Sequence, residues 1–263
     1  MNEVKKICLD AGHIEGQNKS PCVPEYSEGT QMWKLHKMLG GILETKYKCE
    51  IIYTRDDIKN DKTVTARGHC ARDCDLFLSM HSDASNNKKC DDTNRATIFY
   101  PFDGINNSDE HAQILANRYK FIMPVTNGVA KTRLSTVAIR DYYGVMRGAR
   151  EVNCREYYII ENGFHTNSAQ AEWLIDDEHL YSVAHDLSQW VAQILHLPLR
   201  RIKGDINGNE ELDVIDYVML KRIVLGTYQA TPEQLEAADI NDDGNVDIID
   251  YVILKRKIIN GEF

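Results

Sequence analysis

Two histidines and two carboxylates occupy positions where chemistry is plausible. His13 follows the apolar run in KKICLDAGH, after the small, turn-permitting Gly12, and His81 ends a second run, DLFLSMH. Glu28 opens a segment in which Leu35, Leu39 and Leu43 recur every four residues, the spacing of one helix face. Glu161 ends YYIIE, a run apolar enough for a buried strand, where a carboxylate is costly without a task or a partner. Two imidazoles and a carboxylate form a common zinc-hydrolase ligand set that leaves a fourth position for water. A further carboxylate beside that water can act as general base and then acid. Glu25 lies within one helical turn of Glu28 and is an alternative ligand, although the leucine register favours Glu28. His36, His69, His111, His165, His179, His185 and His196 have no evident partner, so structural or surface roles are the default.

A second group of residues points to calcium. DINGNEELDVIDYVMLKRIV at 205–224 and DINDDGNVDIIDYVILKRKI at 239–258 repeat with a period of 34 residues. A twelve-residue calcium loop takes its ligands from positions 1, 3, 5, 7 and 12. These are Asp205, Asn207, Asn209, Glu211 and Asp216 in the first repeat, and Asp239, Asn241, Asp243, Asn245 and Asp250 in the second. Position six, where the chain turns tightly, is Gly244 in the second loop but Glu210 in the first, so the first site is expected to be weaker.

The elements that would position these groups follow from the apolar pattern. KKICL, EIIYT, DLFLSMH, ATIFY and YYIIENGF read as strands, with helical patterns near 28–45, 63–73 and 108–122 and a long amphipathic helix over 171–197. This alternation predicts an α/β domain over 1–197, a mixed sheet flanked by helices. A short linker, 198–204, leads into a small all-α module, 205–263, with two EF-hand-like loops. The net charge of −9 is uneven, because residues 203–263 hold 13 acidic and 6 basic residues and so carry −7. Such acidity argues for bound cations and against nucleic acid. No stretch reaches the roughly 20 apolar residues that span a bilayer, and MNEVKKICLD has too short an apolar run for a signal peptide. Export would then use a removed signal or another route. The seven cysteines lie in the first 154 residues in no regular framework, so mostly free thiols and a reducing setting are expected. Cys70 and Cys74 would share a helix face as two small buried residues.

Two resemblances accompany these readings. LDAGH, SEGTQMWKLHKML, YTRDD, ARGHCARDCDLFLSMHSDA and IIENGFHTN, in that order, resemble the zinc-dependent N-acetylmuramoyl-L-alanine amidases of the family-three type. The resemblance implies one catalytic zinc on His13, Glu28 and His81, with Glu161 as catalytic acid/base and peptidoglycan as substrate. It also matches Arg55 and Arg67, read as members of structural ion pairs, and Asn162, Gly163 and Asn167, read as shaping the cleft. The tail, whose loops end in Asp and run into DYV and LKR, is similar to a type I dockerin. That implies two structural calcium ions and a cohesin partner. The cohesin would be read by Val214, Ile215, Ile248 and Ile249, with Lys221, Arg222, Lys255 and Arg256 nearby. Together these imply an extracellular, wall-associated hydrolase. An endolysin and a non-catalytic wall-binding scaffold are the alternatives, the latter disfavoured because all four site residues are present.

Overall fold

The computed structural model describes residues 4–85 and 90–261, which form two compact units, Met1–Pro198 and Leu199–Phe263. In the first unit, strands and helices alternate as β1 (Lys5–Ala11), α1 (Glu28–Lys46), β2 (Cys49–Tyr53), α2 (Val64–His69) and β3 (Leu76–Asp83). They continue as β4 (Ala96–Phe99), α3 (Ser108–Ile122), β5 (Gly128–Lys131), α4 (Gly144–Glu151), β6 (Glu156–Phe164), α5 (Ser168–Leu174) and α6 (Asp177–Leu195). The sheet order is β2-β1-β3-β6-β4-β5. All neighbours are parallel except β4 and β6, which pair antiparallel, so the sheet is mixed.

Because side chains alternate across a strand, the central strands are apolar on both faces. Ile7, Leu9, Leu76, Leu78, Tyr158 and Ile160 enter one core, which α1, α3 and α6 cover with Leu35, Leu39, Leu43, Leu115, Leu187 and Trp190. Cys8, Phe77, Tyr157 and Ile159 enter the other, covered by Val145, Met146 and Ala149 of α4. The chain leaves β1 for α1 on one face, and β3 lies on the far side of β1 from β2. The crevice beyond the carboxyl ends of β1 and β3 is therefore the place where an open α/β sheet collects ligands.

Several expectations from sequence are corrected here. The segment read as one helix over 171–197 is two, because Asp176 accepts from the Glu178 and His179 amides and starts α6 afresh. The helix α2 ends at His69, so Cys70 and Cys74 do not share a helix face. Neither β5, four half-buried residues, nor α4, only eight residues long, had been anticipated. Five of the seven cysteines carry no disulfide, as the irregular spacing predicts, but Cys22 and Cys90 form one, which a reducing setting did not lead one to expect. No helix among the described residues is long and apolar enough to cross a membrane.

The second unit contains α7 (Val214–Val224), α8 (Pro232–Ala238) and α9 (Ile248–Asn260). Its small core holds Ile206, Leu212, Leu220, Ala237, Ala238 and Leu254. The repeat is visible in the packing, since Tyr217 and Tyr251, 34 positions apart, stack at 4.3 Å between ring centroids.

Candidate functional site

The apolar run of β1 ends at Ala11, and the chain turns at His13 rather than at Gly12: His13 adopts φ +60°, in the left-handed region. Gly12 serves a different need. A Cβ there would lie 2.3 Å from Cε1 of His81, so the glycine is what lets the His81 ring approach the tip of β1. Arg55 fixes this turn by donating to the carbonyls of Ala11 (2.8 Å) and His13 (2.7 Å). Among the described residues Arg55 therefore has no ion pair, contrary to expectation, and binds backbone carbonyls instead. Arg67 does pair with Asp10, at 2.9 Å, and that buried carboxylate also accepts from Thr54 and Ser79.

Glu28 is the first residue of α1, and its carboxylate is almost wholly buried, whereas Glu25 is exposed. His81 Nδ1 lies 2.9 Å from Glu28 Oε1, and His13 Nε2 lies 3.6 Å from Glu28 Oε2. One ligand atom from each of His13, Glu28 and His81 falls within 4.8 Å of the others. Burial raises the Glu28 carboxyl, but the hydrogen bond and charge of His81, with smaller help from His13 and Asn18, outweigh it and hold the group down to about 2. Burial lowers the His13 imidazole despite the pull of Glu28, which leaves it neutral and able to ligate. His81 is raised because the Glu28 bond and charge overcome its desolvation.

Glu161 lies next to this cluster, since β3 and β6 pair His81 with Glu161 before the register shifts between His81 and Asp83. Burial pushes the Glu161 carboxyl up to about 8, with Glu28 and Asp83 adding to the rise and His81 opposing it. Its Oε2 is buried with no hydrogen-bond partner among the described residues. An orphaned buried carboxylate oxygen beside two imidazoles and an anionic glutamate fits a site that takes a cation and a water molecule. All four residues line one cavity of about 350 Å³.

Three supporting residues were missed or undervalued in the sequence. Asn18 donates to Glu28 Oε2 at 2.9 Å and lies 3.0 Å from His13 Nε2, bridging the two. His165, for which a structural or surface role is the default expectation, is instead buried in the cavity wall, 3.9 Å from Glu28 Oε2 and 3.0 Å from the Ser82 hydroxyl. Its place four residues after Glu161, in the same quoted stretch, was the available signal. Asn162 donates to the carbonyls of His81 and Ile160 and accepts from the Tyr119 hydroxyl, tying β6 to β3 under the site. Other histidines found structural partners: His69 with Glu151, His111 with Glu156, and His179 stacked on Trp173.

In the second unit each loop is drawn together by its own acids. Asp205 accepts from the amides of Gly208, Asn209 and Glu210, and Asp216 from Ile206, Asn207 and Asp213. Asp239 accepts from Asp243 and Gly244, and Asp250 from Ile240, Asn241 and Asp247. The side-chain oxygens of Asn207, Asn209, Asn241 and Asp243 accept from amides two residues on, while Glu211 and Asn245 occupy position seven. Position six is left-handed in both loops, with Glu210 at φ +66° and Gly244 at φ +85°. A side chain in that conformation costs about 1 kcal/mol that glycine avoids. Val214, Ile215, Ile248 and Ile249 are each more than half exposed at the helix starts, and Lys221, Arg222, Lys255 and Arg256 are exposed further along.

The family model described as N-acetylmuramoyl-L-alanine amidase matches residues 7–193, and the type I dockerin domain model matches 203–259. Among solved structures, the N-acetylmuramoyl-L-alanine amidase from Clostridium difficile 630 is similar at TM-score 0.61 and 19% identity, over 73% of this chain and 97% of that one. The catalytic domain of CwlV, the amidase from Bacillus (Paenibacillus) polymyxa var. colistinus, is similar at TM-score 0.59 and 18% identity, over 74% of this chain and 100% of that one. AmiC2 of Nostoc punctiforme is similar at TM-score 0.58 and 17% identity, over 73% and 97%. At these identities the likeness concerns the fold. No curated protein matches the chain. The family match covers well over half of the residues, and this chain belongs to the N-acetylmuramoyl-L-alanine amidase family, with a type I dockerin domain following the amidase domain.

Proposed function

We propose that this protein hydrolyses the amide between N-acetylmuramic acid and the L-alanine of the peptidoglycan stem, using one zinc ion held by His13, Glu28 and His81. The observation that carries this reading is the convergence of those three ligand atoms within 4.8 Å beside the unpartnered oxygen of Glu161. Zinc bound there supplies Lewis acidity toward the carbonyl and lowers the pKa of water. The chain's own residues do the rest. Glu161 takes the proton from the attacking water and delivers it to the departing alanine nitrogen. Its burial keeps the carboxyl's proton affinity high, while a dication in the adjacent cluster would favour the ionised form, so the two effects oppose one another at this carboxyl. Asn18 holds His13 and Glu28 in mutual register, and Asn162 holds the His81 backbone.

The dockerin domain, as we read it, folds around two calcium ions in loops 205–216 and 239–250 and binds a cohesin. Val214, Ile215, Ile248 and Ile249 supply exposed apolar contacts, with the nearby Lys and Arg side chains at the edge. The boundaries we assign are 1–197 for catalysis, 198–204 for the linker and 205–263 for docking. Work at the cell wall, outside the cell, accords with the Cys22–Cys90 disulfide, since such bonds persist in oxidising surroundings. Mass analysis of muropeptides released from purified walls tests the reaction. Free L-alanine amino termini paired with intact N-acetylmuramic acid are expected, and cleavage at any other bond would overturn the assignment.

A further inference from the structure

The catalytic cavity opens into a second lobe of about 370 Å³, and the two share Asp83, Ala84, Arg133 and Tyr143 as a common wall. Beyond that wall the lobe is lined by Lys131, which ends β5, and Arg95, which precedes β4. Among the described residues none of these three cations is ion-paired. Arg95 lies 5.1 Å from the Phe164 ring centroid, Lys131 lies 5.0 Å from that of Phe99, and Arg133 lies 3.8 Å from that of Tyr142. Arg133 also donates to the Tyr143 hydroxyl at 3.2 Å. Among the described residues Asp83 is the lone carboxylate in the lining, so three cations there face one anion across a half-enclosed space. Burial holds the Lys131 ammonium below its ordinary value, and the neighbouring Arg95 charge adds to the effect. Like charges gathered without ion-pair partners oppose one another, and an anion in the lobe would relieve that repulsion.

The substrate's chemistry decides which anion. In the bond assigned above, the carboxyl of muramic acid is consumed in the scissile amide, so the acyl half near the cut is uncharged. Free carboxylates lie on the amine half, the peptide stem. Two extended residues span about 7 Å, so a carboxylate on the second stem residue lies well outside the metal cluster and within reach of an adjoining lobe. The planar forks of Arg95 and Arg133 suit a carboxylate, and Lys131 adds a point charge. We propose that this lobe is the subsite for a stem-peptide carboxylate, so that the stem crosses β4 and β5 while the sugar lies on the opposite side of the metal cluster. The inference rests on the amidase reading and deepens it.

The test uses the full chain loaded with zinc and calcium. Two soluble tripeptides are titrated by calorimetry: L-Ala-γ-D-Glu-L-Lys and the same peptide with the glutamate α-carboxylate amidated. The acid should bind about tenfold more tightly than the amide, the usual size of one charge-assisted pair. Arg133→Gln and Lys131→Gln should each remove most of that preference, with tryptophan fluorescence confirming the fold. In turnover, the ratio of kcat/KM for the acid over the amidated muramyl tripeptide should fall from about ten toward one in the double variant. Equal binding of acid and amide by the wild type would overturn the proposal, as would a preference that survives both substitutions. Competition by inorganic phosphate or a phosphodiester wall polymer at lower concentration than the tripeptide would also overturn it, by marking a site for phosphate. If the wild type cleaves neither muramyl peptide, the amidase reading fails on its own, and the tripeptide titration still decides the subsite.

Discussion

Replacing Glu161 by glutamine should stabilise the metal-free protein, and more so as pH rises. The native carboxyl titrates at about 8 because of burial, against 4.5 for an unperturbed glutamate. A carboxyl raised in the folded state favours folding while it keeps its proton. That advantage is complete below 4.5 and is lost progressively as pH climbs toward 8, because the unfolded chain ionises first. With about 1.36 kcal/mol per pKa unit, wild type should lose about 3 kcal/mol more than Glu161→Gln between pH 5 and pH 7.5. His13, Glu28 and His81 titrate in both proteins, and His81 feels the Glu161 charge directly, so the comparison reads the Glu161 carboxyl together with its coupling to His81. Urea unfolding in chelator, followed by tryptophan emission, measures it. The three tryptophans, Trp33, Trp173 and Trp190, all lie in the first unit, so the dockerin domain does not contribute. Zinc should narrow the difference at pH 7.5, because a neighbouring dication favours the ionised carboxylate. Parallel stability profiles for the two proteins from pH 5 to 7.5 would refute the idea that burial without a partner sets the proton affinity of Glu161.

His13→Ala and His81→Ala should each reduce bound zinc, measured by elemental analysis, from one per chain to near zero, while Glu25→Ala retains it. Glu161→Gln should retain zinc and lose turnover by about 10²–10⁴-fold on purified walls, the usual worth of general acid–base catalysis. Gly12→Ala should weaken zinc binding without touching a ligand, because the added methyl would meet the His81 ring at 2.3 Å; competition with a chelating dye reads the shift. Glu210→Gly should tighten the first calcium loop by about 1 kcal/mol, roughly fivefold, by relieving a left-handed side chain, and calcium calorimetry should then show the two sites closer in affinity.

The sequence by itself disclosed whatever depends on local spacing. The 34-residue repeat and the oxygen-bearing residues at fixed loop positions are contiguous in the chain, so the two loops that the acids draw together were legible residue by residue. Strands β1, β3 and β6 were legible because burial on both faces makes them continuous apolar runs, and Leu35, Leu39 and Leu43 announced α1. Short or half-exposed elements were not: β5 buries neither face fully, and α4 has only two turns of pattern. The long helical pattern over 171–197 also concealed a break, because Asp176 looks like any surface acid until it caps α6. What only the tertiary structure decided is which distant residues meet. Glu28 rather than Glu25 enters the cluster because the first turn of α1 aims at the carboxyl ends of β1 and β3. Gly12 proved to serve the close approach of a ring from another strand, and Cys22 met Cys90 across 68 residues. Asn18 and His165 joined the site, and Arg95, Lys131 and Arg133 came to share one lobe, because strand pairing brings together segments whose separation in sequence carries no trace of their contact.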